Sequence, residues 1–511
     1  MSTTLPVPLL VYAQHQSVLD LEPARDVRAT LPVANSTKSF WFTDPDVTPL
    51  PTEGSEGPLT DDADICIIGS GITGASAAYH LARSLSDGKI ANALGRPVKA
   101  VILEAREFCS GATGRNGGHL VSHTFFDFLK CQTEHGKEEA LRSYNIEEYV
   151  VKEVTKLLEE NSKGDDVDLV AGGRLILFFS KEELLEAKSD FLAAKEIGLD
   201  LSGIQWFTKE ETQAKYGASY PSVLTPGFSL WPLKLVGVLF SLANKIGSGS
   251  SSSSPTFSAT LHTRTPVTSI LPIPQSSDIN AVFPRRHNLN TPRGNISCSY
   301  IVHATNGYAS HLLPHLTGSN GIIPTRGQII ATRAKVGLDI LTRTGGTGNE
   351  GLEYWFPRPV KQPDEKYPLV ILGGGREVKP QFQFYEIDDS IIDKEVGKAL
   401  RAFLPAVFPG RFEPGNEPEI EWTGIMGFTR SGDPFVGPVV DHNNSSNNTA
   451  YEGQYVSAGY TGHGMPRAYA CAEVVSQMIV ADIKKEKWEP PEWFPRVYLM
   501  TNANRKEYAK V

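Results

Sequence analysis

The stretch Ile65-Cys66-Ile67-Ile68-Gly69-Ser70-Gly71-Ile72-Thr73-Gly74 constrains this chain more than any other. Ile65, Ile67 and Ile68 are β-branched, as in a strand buried on both faces. Gly69 permits a tight turn, Gly71 lets the backbone approach a pyrophosphate, and Gly74 lets the next helix pack on the strand. Ala75, Ala77, Ala78 and Leu81 continue that helix with small or apolar residues. Val98–Leu103 reads as a second strand, and Glu104 at its end can accept hydrogen bonds from a ribose diol. The pattern predicts an ADP-containing cofactor at a helix N-terminus, where free N–H groups and the dipole attract phosphate. A carboxylate at Glu104 argues against a 2′-phosphate, hence against NADP. Glu104 lies 30 residues after Gly74, where about 20 is usual. Residues 84–97, with Gly88, Gly95 and Pro97, read as a lengthened loop that absorbs the excess. The alternative is a glycine-rich turn with no ligand; a strand, helix and acid in the right order weigh against it.

The 511 residues suffice for two or three domains' worth of core. A composition of 40% apolar and 21% charged residues is that of an ordinary globular protein. A net charge of −9 argues against a nucleic-acid partner, which would need a basic face. No apolar run is long enough to span a membrane. The N-terminus lacks the basic and apolar regions of a secretory signal, and the C-terminus carries no peroxisomal signal, so a cytoplasmic location is expected. The five cysteines are scattered, none at metal-ligand spacing, so free thiols and no metal site are expected.

Along the chain, residues 1–60 read as an N-terminal arm whose apolar cluster is Thr37–Phe42. Residues 137–160 have helical spacing and heavy charge, predicting an exposed amphipathic helix. Gly173–Ser180 reads as a strand, followed by a helix over 181–198 that Ser180 and Glu183 open as a capping box. A Ser-rich surface loop occupies 248–255. Leu261–Leu271 reads as one strand running through Pro266, and Tyr300–Tyr308 as a buried strand ending in a glycine turn. Residues 326–415 look strand-rich, and Gln454–Met465 reads as strand then glycine turn, leading into a helix over 466–479 with Pro at its start. The expected fold is α/β (α+β): a Rossmann-like dinucleotide domain, discontinuous in sequence, with an inserted, mostly antiparallel-sheet substrate domain. The nucleotide domain is assigned 61–165, 256–325 and 416–485, the substrate domain 166–247 and 326–415, and 486–511 a C-terminal tail.

Four blocks in this order carry a resemblance: Ile67–Gly74 with Glu104-Ala105-Arg106; Ser110-Gly-Ala-Thr-Gly-Arg-Asn-Gly-Gly-His119; Ile301-Val-His-Ala-Thr-Asn-Gly307; and Gly459-Tyr-Thr-Gly-His-Gly-Met465. Together they resemble the FAD-dependent D-amino-acid oxidase superfamily, in the branch with sarcosine, glycine and γ-glutamylputrescine oxidases, over roughly residues 37–485. The resemblance implies that FAD lies on Gly69, Gly71, Ile72, Thr73 and Gly74, with Glu104 and Ala105 at the adenosine ribose. Arg106 contacts the same nucleotide or is a solvated surface arginine. Thr113, Gly114, Arg115, Asn116, Gly117, Gly118 and His119 would run past the pyrophosphate and flavin. Val267 would meet adenine, and Ala304, Thr305 and Gly307 would close over the nucleotide half. Gly462, His463, Gly464 and Met465 would stand at the flavin N1 and C2 carbonyl, where a helix N-terminus favours the charge that develops there. His463 could instead only cap that helix. Relatives with a histidyl flavin link carry the histidine roughly where Arg115 stands, and no cysteine here has the context of a cysteinyl link, so non-covalent FAD is expected.

The resemblance further implies an amine or amino-acid substrate between the flavin and the strand-rich domain, hydride transfer to the flavin, and oxygen as acceptor with release of peroxide. Arg376 and Arg430 are candidates to hold a substrate carboxylate, or are paired with acids at the surface. Tyr354 and Trp355 form an aromatic wall for an amine, or pack in the core. Other readings are an FAD dehydrogenase with another acceptor or a hydroxy-acid substrate, a non-catalytic flavoprotein, and a plain NAD dehydrogenase. The blocks at 110–119 and 459–465 argue against the last.

Overall fold

The computed structural model describes residues 5–9, 27–44, 50–249, 254–274, 282–361, 365–442 and 445–501. Two large sheets organise them. The first has six strands, in the order 435–438, 454–458, 300–303, 65–68, 98–103 and 257–262. All its pairings are parallel except that of 435–438 with 454–458. Its central strand, Ile65–Ile68, is buried along its whole length. Ile65 and Ile67 face a helical layer, whereas Cys66 and Ile68 face a three-stranded sheet with Leu289, Ile296 and Cys298. Two-sided burial is why this strand carries an unbroken apolar run rather than an alternating one.

In the helical layer, Ile72–Ser84 packs between Pro232–Gly247 and Ala468–Lys484. The sequence assigns 232–247 to the substrate domain, but this helix packs on the nucleotide side through Leu235, Val236 and Leu239. The C-terminal helix starts at Ala468 rather than Pro466, with Arg467 as its N-cap. The stretch expected to be a loop before the second strand contains a short helix, Lys89–Leu94, bounded by the left-handed glycines Gly88 and Gly95. Nor is Leu261–Leu271 one strand. Phe257–His262 ends the six-stranded sheet and Ser269–Pro272 belongs to the three-stranded one. Pro266 lies in the switch between them, where it has no ladder hydrogen bond to donate.

The second sheet has eight strands, in the order 420–428, 323–333, 369–374, 353–357, 345–348, 174–177, 222–225 and 205–207. All pairings are antiparallel except that of 345–348 with 174–177. The strand 420–428 lies in this sheet, although the sequence assigns 416–485 to the nucleotide domain. One face is covered by a helix, Lys394–Val407, within the stretch the sequence shows as strand-rich. Its Val396, Leu400, Phe403, Leu404 and Val407 pack on Val370, Leu372 and Trp355. The other face looks toward the first sheet.

The segment before the first strand is part of the body: Trp41 is fully buried. Its Nε1 donates to the Asn116 carbonyl at 2.7 Å, and Trp231 Nε1 donates to its own carbonyl at 3.0 Å. The helix Lys137–Glu160 is not free in solvent as expected; a face including Ile146, Glu147, Val150 and Val154 is buried. At the far end, Phe494, Tyr498 and Met500 are buried, and Met500 N donates to Val436 O at 2.9 Å. No helix among the described residues is long and apolar enough to cross a membrane.

Candidate active site

The C-terminal ends of the strands 65–68, 98–103 and 300–303 open into one cavity of about 620 Å³. Gly69 is left-handed (φ 107°), and a Cβ there would sit 2.6 Å from the Ala304 carbonyl oxygen. Gly71 is the N-cap of the helix Ile72–Ser84 and supplies no side-chain cap. A Cβ on it would reach Thr113 Oγ1 at 3.0 Å. The Ile72 amide donates to that same hydroxyl at 3.1 Å. A helix N-terminus whose N-cap is a glycine is an anion cradle. Beside it, Glu104 Oε2 accepts from Ser70 N (3.1 Å) and Ser70 Oγ (2.7 Å), and Oε1 accepts from Arg106 N at 3.0 Å. These bonds orient the carboxylate at the cavity wall. Amides for a pyrophosphate, an acid for a ribose diol and a long cavity beyond them fit a dinucleotide.

The cavity gathers residues from all four blocks. Gly69, Gly71, Ile72, Thr73, Glu104, Ala105, Arg106, Thr113, Arg115, Asn116, Gly117, Gly118, His119, Val267, Ala304, Thr305, Gly462, His463, Gly464 and Met465 line it, together with Tyr354, Arg376 and Arg430. Three glycines expected to touch cofactor do not line it. A Cβ on Gly74 would lie 1.9 Å from Gly69 O, on Gly114 2.1 Å from Cys109 O, and on Gly307 2.5 Å from Met426 O. They are glycine because backbone packs on backbone there, behind the wall.

Two arginines are also placed differently from the expectation. Arg106 is no solvated surface residue; its Nη1 and Nη2 donate to Asp389 at 2.9 and 3.0 Å. Arg115 Nε donates to Ser110 O at 2.7 Å, and its Nη1 to Thr37 O and Thr423 O at 2.8 and 2.9 Å. Burial draws the Arg115 guanidinium down to about 10, against the pull of Asp389. Through these bonds the two side chains clamp the glycine loop to the N-terminal segment and the second sheet. Asn116 turns inward too, its Oδ1 accepting from Gly118 N at 2.8 Å. His119 Nε2 lies 3.2 Å from Trp355 O, and its ring meets Tyr354 and Phe356 edge-on. Burial lowers its pKa to about 4, which keeps it neutral.

At the other end, the turn 459–465 passes through left-handed Gly459 and Gly462. His463 makes no cap bond to the helix that follows. Its Nδ1 stands 3.5 Å from Glu147 Oε1, and its ring meets His123 edge-on at 4.9 Å. Glu147 is fully buried and accepts from Arg467 Nε at 2.6 Å and from His123 N at 2.5 Å. Burial opposes its ionisation, but Arg467 and His463 hold it well below the usual carboxylate range. Sequence reasoning missed this group. Its one signal is an acid in phase with the apolar stripe of the helix 137–160.

The second sheet supplies the opposite wall. Tyr354 faces the cavity, and its neighbour Trp355 faces away, against Phe403 and Phe408. The wall is therefore built from Tyr354 without Trp355. The Tyr354 ring fills the space a Cβ would need on Gly117 or Gly373, at 2.4 and 2.3 Å. Burial raises the phenol to about 12. Arg376 is 8% exposed and stands 4.9 Å over the Phe428 ring. Its Nη1 donates to Phe382 O at 3.2 Å; no carboxylate lies within ion-pair distance of it among the described residues, and Glu377 and Glu353 act on it from further away. Arg430, half-buried, lines the cavity within the 428–433 turn. The five cysteines are free, and no cluster of potential metal ligands occurs among the described residues.

Known proteins are similar to this chain in sequence and fold. A probable oxidoreductase OrdL of Rhizobium meliloti is 25% identical over 425 residues, 82% of this chain and 84% of that one. The γ-glutamylputrescine oxidoreductase of Escherichia coli is 36% identical over 77 residues, 15% of each chain. The crystal structure of glycine oxidase from Geobacillus kaustophilus superposes with a TM-score of 0.60 at 19% identity, covering 87% of this chain and 99% of that one. The family model of FAD dependent oxidoreductases (DAO) matches residues 64–478, so this chain belongs to that family of FAD-dependent oxidoreductases.

Proposed function

We infer that this enzyme oxidises the C–N bond of an amine or amino acid, with oxygen as the electron acceptor. The observation that carries this reading is Arg376: a buried cation on the cavity wall beside Tyr354, with no carboxylate within ion-pair distance among the described residues and Glu377 and Glu353 acting on it only from further away. A substrate carboxylate on Arg376 would set the adjacent carbon and nitrogen between Tyr354 and the loop Arg115–His119. Bound FAD supplies the hydride acceptor. The chain's own residues bind, orient and desolvate. Apolar and aromatic walls favour the uncharged amine by penalising its ammonium form. The turn at 462–464 on the cavity wall, ahead of the helix Ala468–Lys484, stabilises negative charge on whatever lies against it. The glycine oxidase and γ-glutamylputrescine oxidoreductase likenesses support an amine substrate.

Non-covalent FAD is supported by the placement of Cys298 and Cys471, which are buried away from the cavity lining. Acid precipitation should release the flavin into the supernatant. The function is tested by mixing the holoenzyme anaerobically with D-amino acids, N-methyl amino acids, polyamines and hydroxy acids. Bleaching by an amine, with peroxide on re-aeration, is the expected result. Bleaching by hydroxy acids alone would overturn the substrate class, and bleaching by an amine without peroxide would overturn the acceptor.

A further inference from the structure

Like Arg376, and unlike the ion-paired Arg106, Arg174 is a buried cation on the cavity wall with no carboxylate in ion-pair distance among the described residues, and the reaction as read above does not use it. It opens the strand Arg174–Leu177 and is 6% exposed. Its Nε has no hydrogen-bond partner, and its Nη2 reaches only Thr124 Oγ1, at 3.5 Å. No carboxylate lies within 4 Å of it among the described residues. The acids that act on it from further away are Glu147 and Glu148. Glu147 is committed to Arg467 and the His123 amide, and Glu148 accepts from Ser122. The Phe126 ring lies 5.9 Å from the guanidinium. Burial lowers its pKa to about 10, so it is charged at neutral pH. A buried charge is ordinarily paired, and the open side of this one is the cavity.

Its position relative to Arg376 follows from the strand register. Ile176, Thr347, Tyr354 and Gly373 form one row across four neighbouring strands. Arg174 lies two residues before that row on one outer strand, and Arg376 three residues after it, beyond the other. Three strand spacings, about 14 Å, separate the two strands. The two arginines thus stand at opposite corners of the wall around Tyr354.

We propose that Arg174 is a second anion subsite, and that the substrate is an amine carrying two carboxylates, one on Arg376 and one on Arg174. This rests on the amine-oxidation reading. It adds that a neutral or basic amino acid leaves Arg174 unpaired and binds more weakly. The second carboxylate belongs to the side chain or to a substituent on the nitrogen; both present the same group to Arg174.

The test uses the FAD-loaded enzyme and inert ligands that perturb the flavin spectrum. Succinate, glutarate and adipate are titrated against butyrate. At least one dicarboxylate should bind about ten- to a hundredfold more tightly than butyrate, as for a charge-assisted contact. Arg174→Gln should abolish that preference, Arg174→Lys should keep part of it, and Arg376→Gln should weaken both ligand types. In anaerobic reduction, 2-aminoadipate tests the side-chain arrangement and N-(1-carboxyethyl)alanine the nitrogen-linked one. Equal binding of mono- and dicarboxylates by coloured wild-type enzyme, or a preference unchanged in Arg174→Gln, overturns the subsite. If Arg174→Gln loses its flavin, the wild-type preference decides. A protein that takes up no FAD would instead sink the underlying reading.

Discussion

Arg106 and Asp389 form a two-pronged ion pair at 2.9 and 3.0 Å, with side chains 5% and 1% exposed. Arg106 follows the second strand of the nucleotide sheet, and Asp389 precedes the helix Lys394–Val407 that backs the other sheet. Arg115 Nε lies 3.5 Å from the same carboxylate. Asp389→Ala leaves two buried guanidiniums without their acid, and breaking such a pair costs about 3–5 kcal/mol. The expected outcome is a large fall in the denaturation midpoint. A loss below about 1 kcal/mol would mean that the pair does not join the two halves.

The phosphate cradle gives a second prediction. Gly71→Val places a branched side chain against Thr113 Oγ1, where even a Cβ comes to 3.0 Å. The variant should fold but purify with little flavin, read from the ratio of visible to ultraviolet absorbance. Gly74→Ala drives a methyl into the Gly69 carbonyl, at 1.9 Å. It should lower the thermal midpoint as well as the flavin content.

Neutral buried histidines make the folded state lose stability on acidification, while Glu350 and Asp190, raised by burial to about 8 and about 6, pull the other way. Burial lowers His303 from 6.5 to about 4 and His80 from 6.5 to about 3. Both are neutral when folded. Between about pH 6.5 and 4 the unfolded chain takes up protons that the folded chain refuses. Their contribution is therefore complete above pH 6.5 and is lost as pH falls toward the folded values. Measured by denaturant midpoints, His303→Asn should therefore lose less stability than the wild type between pH 7 and 5.

Glu147 carries the fourth prediction. Its folded pKa is depressed, so its stabilisation is present above about pH 4, the ordinary carboxylate value, and lost only in stronger acid. Glu147→Gln leaves Arg467 buried without its counter-charge at the turn bearing His463. Weaker flavin binding and an altered flavin spectrum are expected; an unchanged spectrum and affinity would show that the group does not sense the cofactor.

The nucleotide side was legible because its signals are local: a β-branched run, glycines at fixed offsets and an acid at a strand end. The glycine blocks announce themselves in the same way. What is set by distant partners was not legible. Arg106 and Arg115 look like ligand donors until Asp389 and the carbonyls of Thr37 and Thr423 claim them. Gly74, Gly114 and Gly307 look like cofactor contacts, yet each is required by a backbone atom behind the wall. The helix 394–407 shows apolar residues at 396, 400, 403, 404 and 407, but the strands around it drew the reading toward sheet. Arg174 and Glu147 stand in strand and helix with no motif around them, and only burial reveals them. Arg376 could be nominated from the sequence but not chosen over Arg430.

On this reading the cavity holds FAD and presents a carboxylate-bearing amine to it through Arg376. The most direct test of that reading is the visible spectrum of purified wild-type and Arg376→Gln protein, before and after anaerobic addition of a substrate amino acid. Both proteins should show a flavin spectrum, with rapid bleaching in the wild type and bleaching slowed at least about tenfold at limiting substrate in the variant. A colourless wild type that takes up no FAD, or equal bleaching in both proteins, would contradict it.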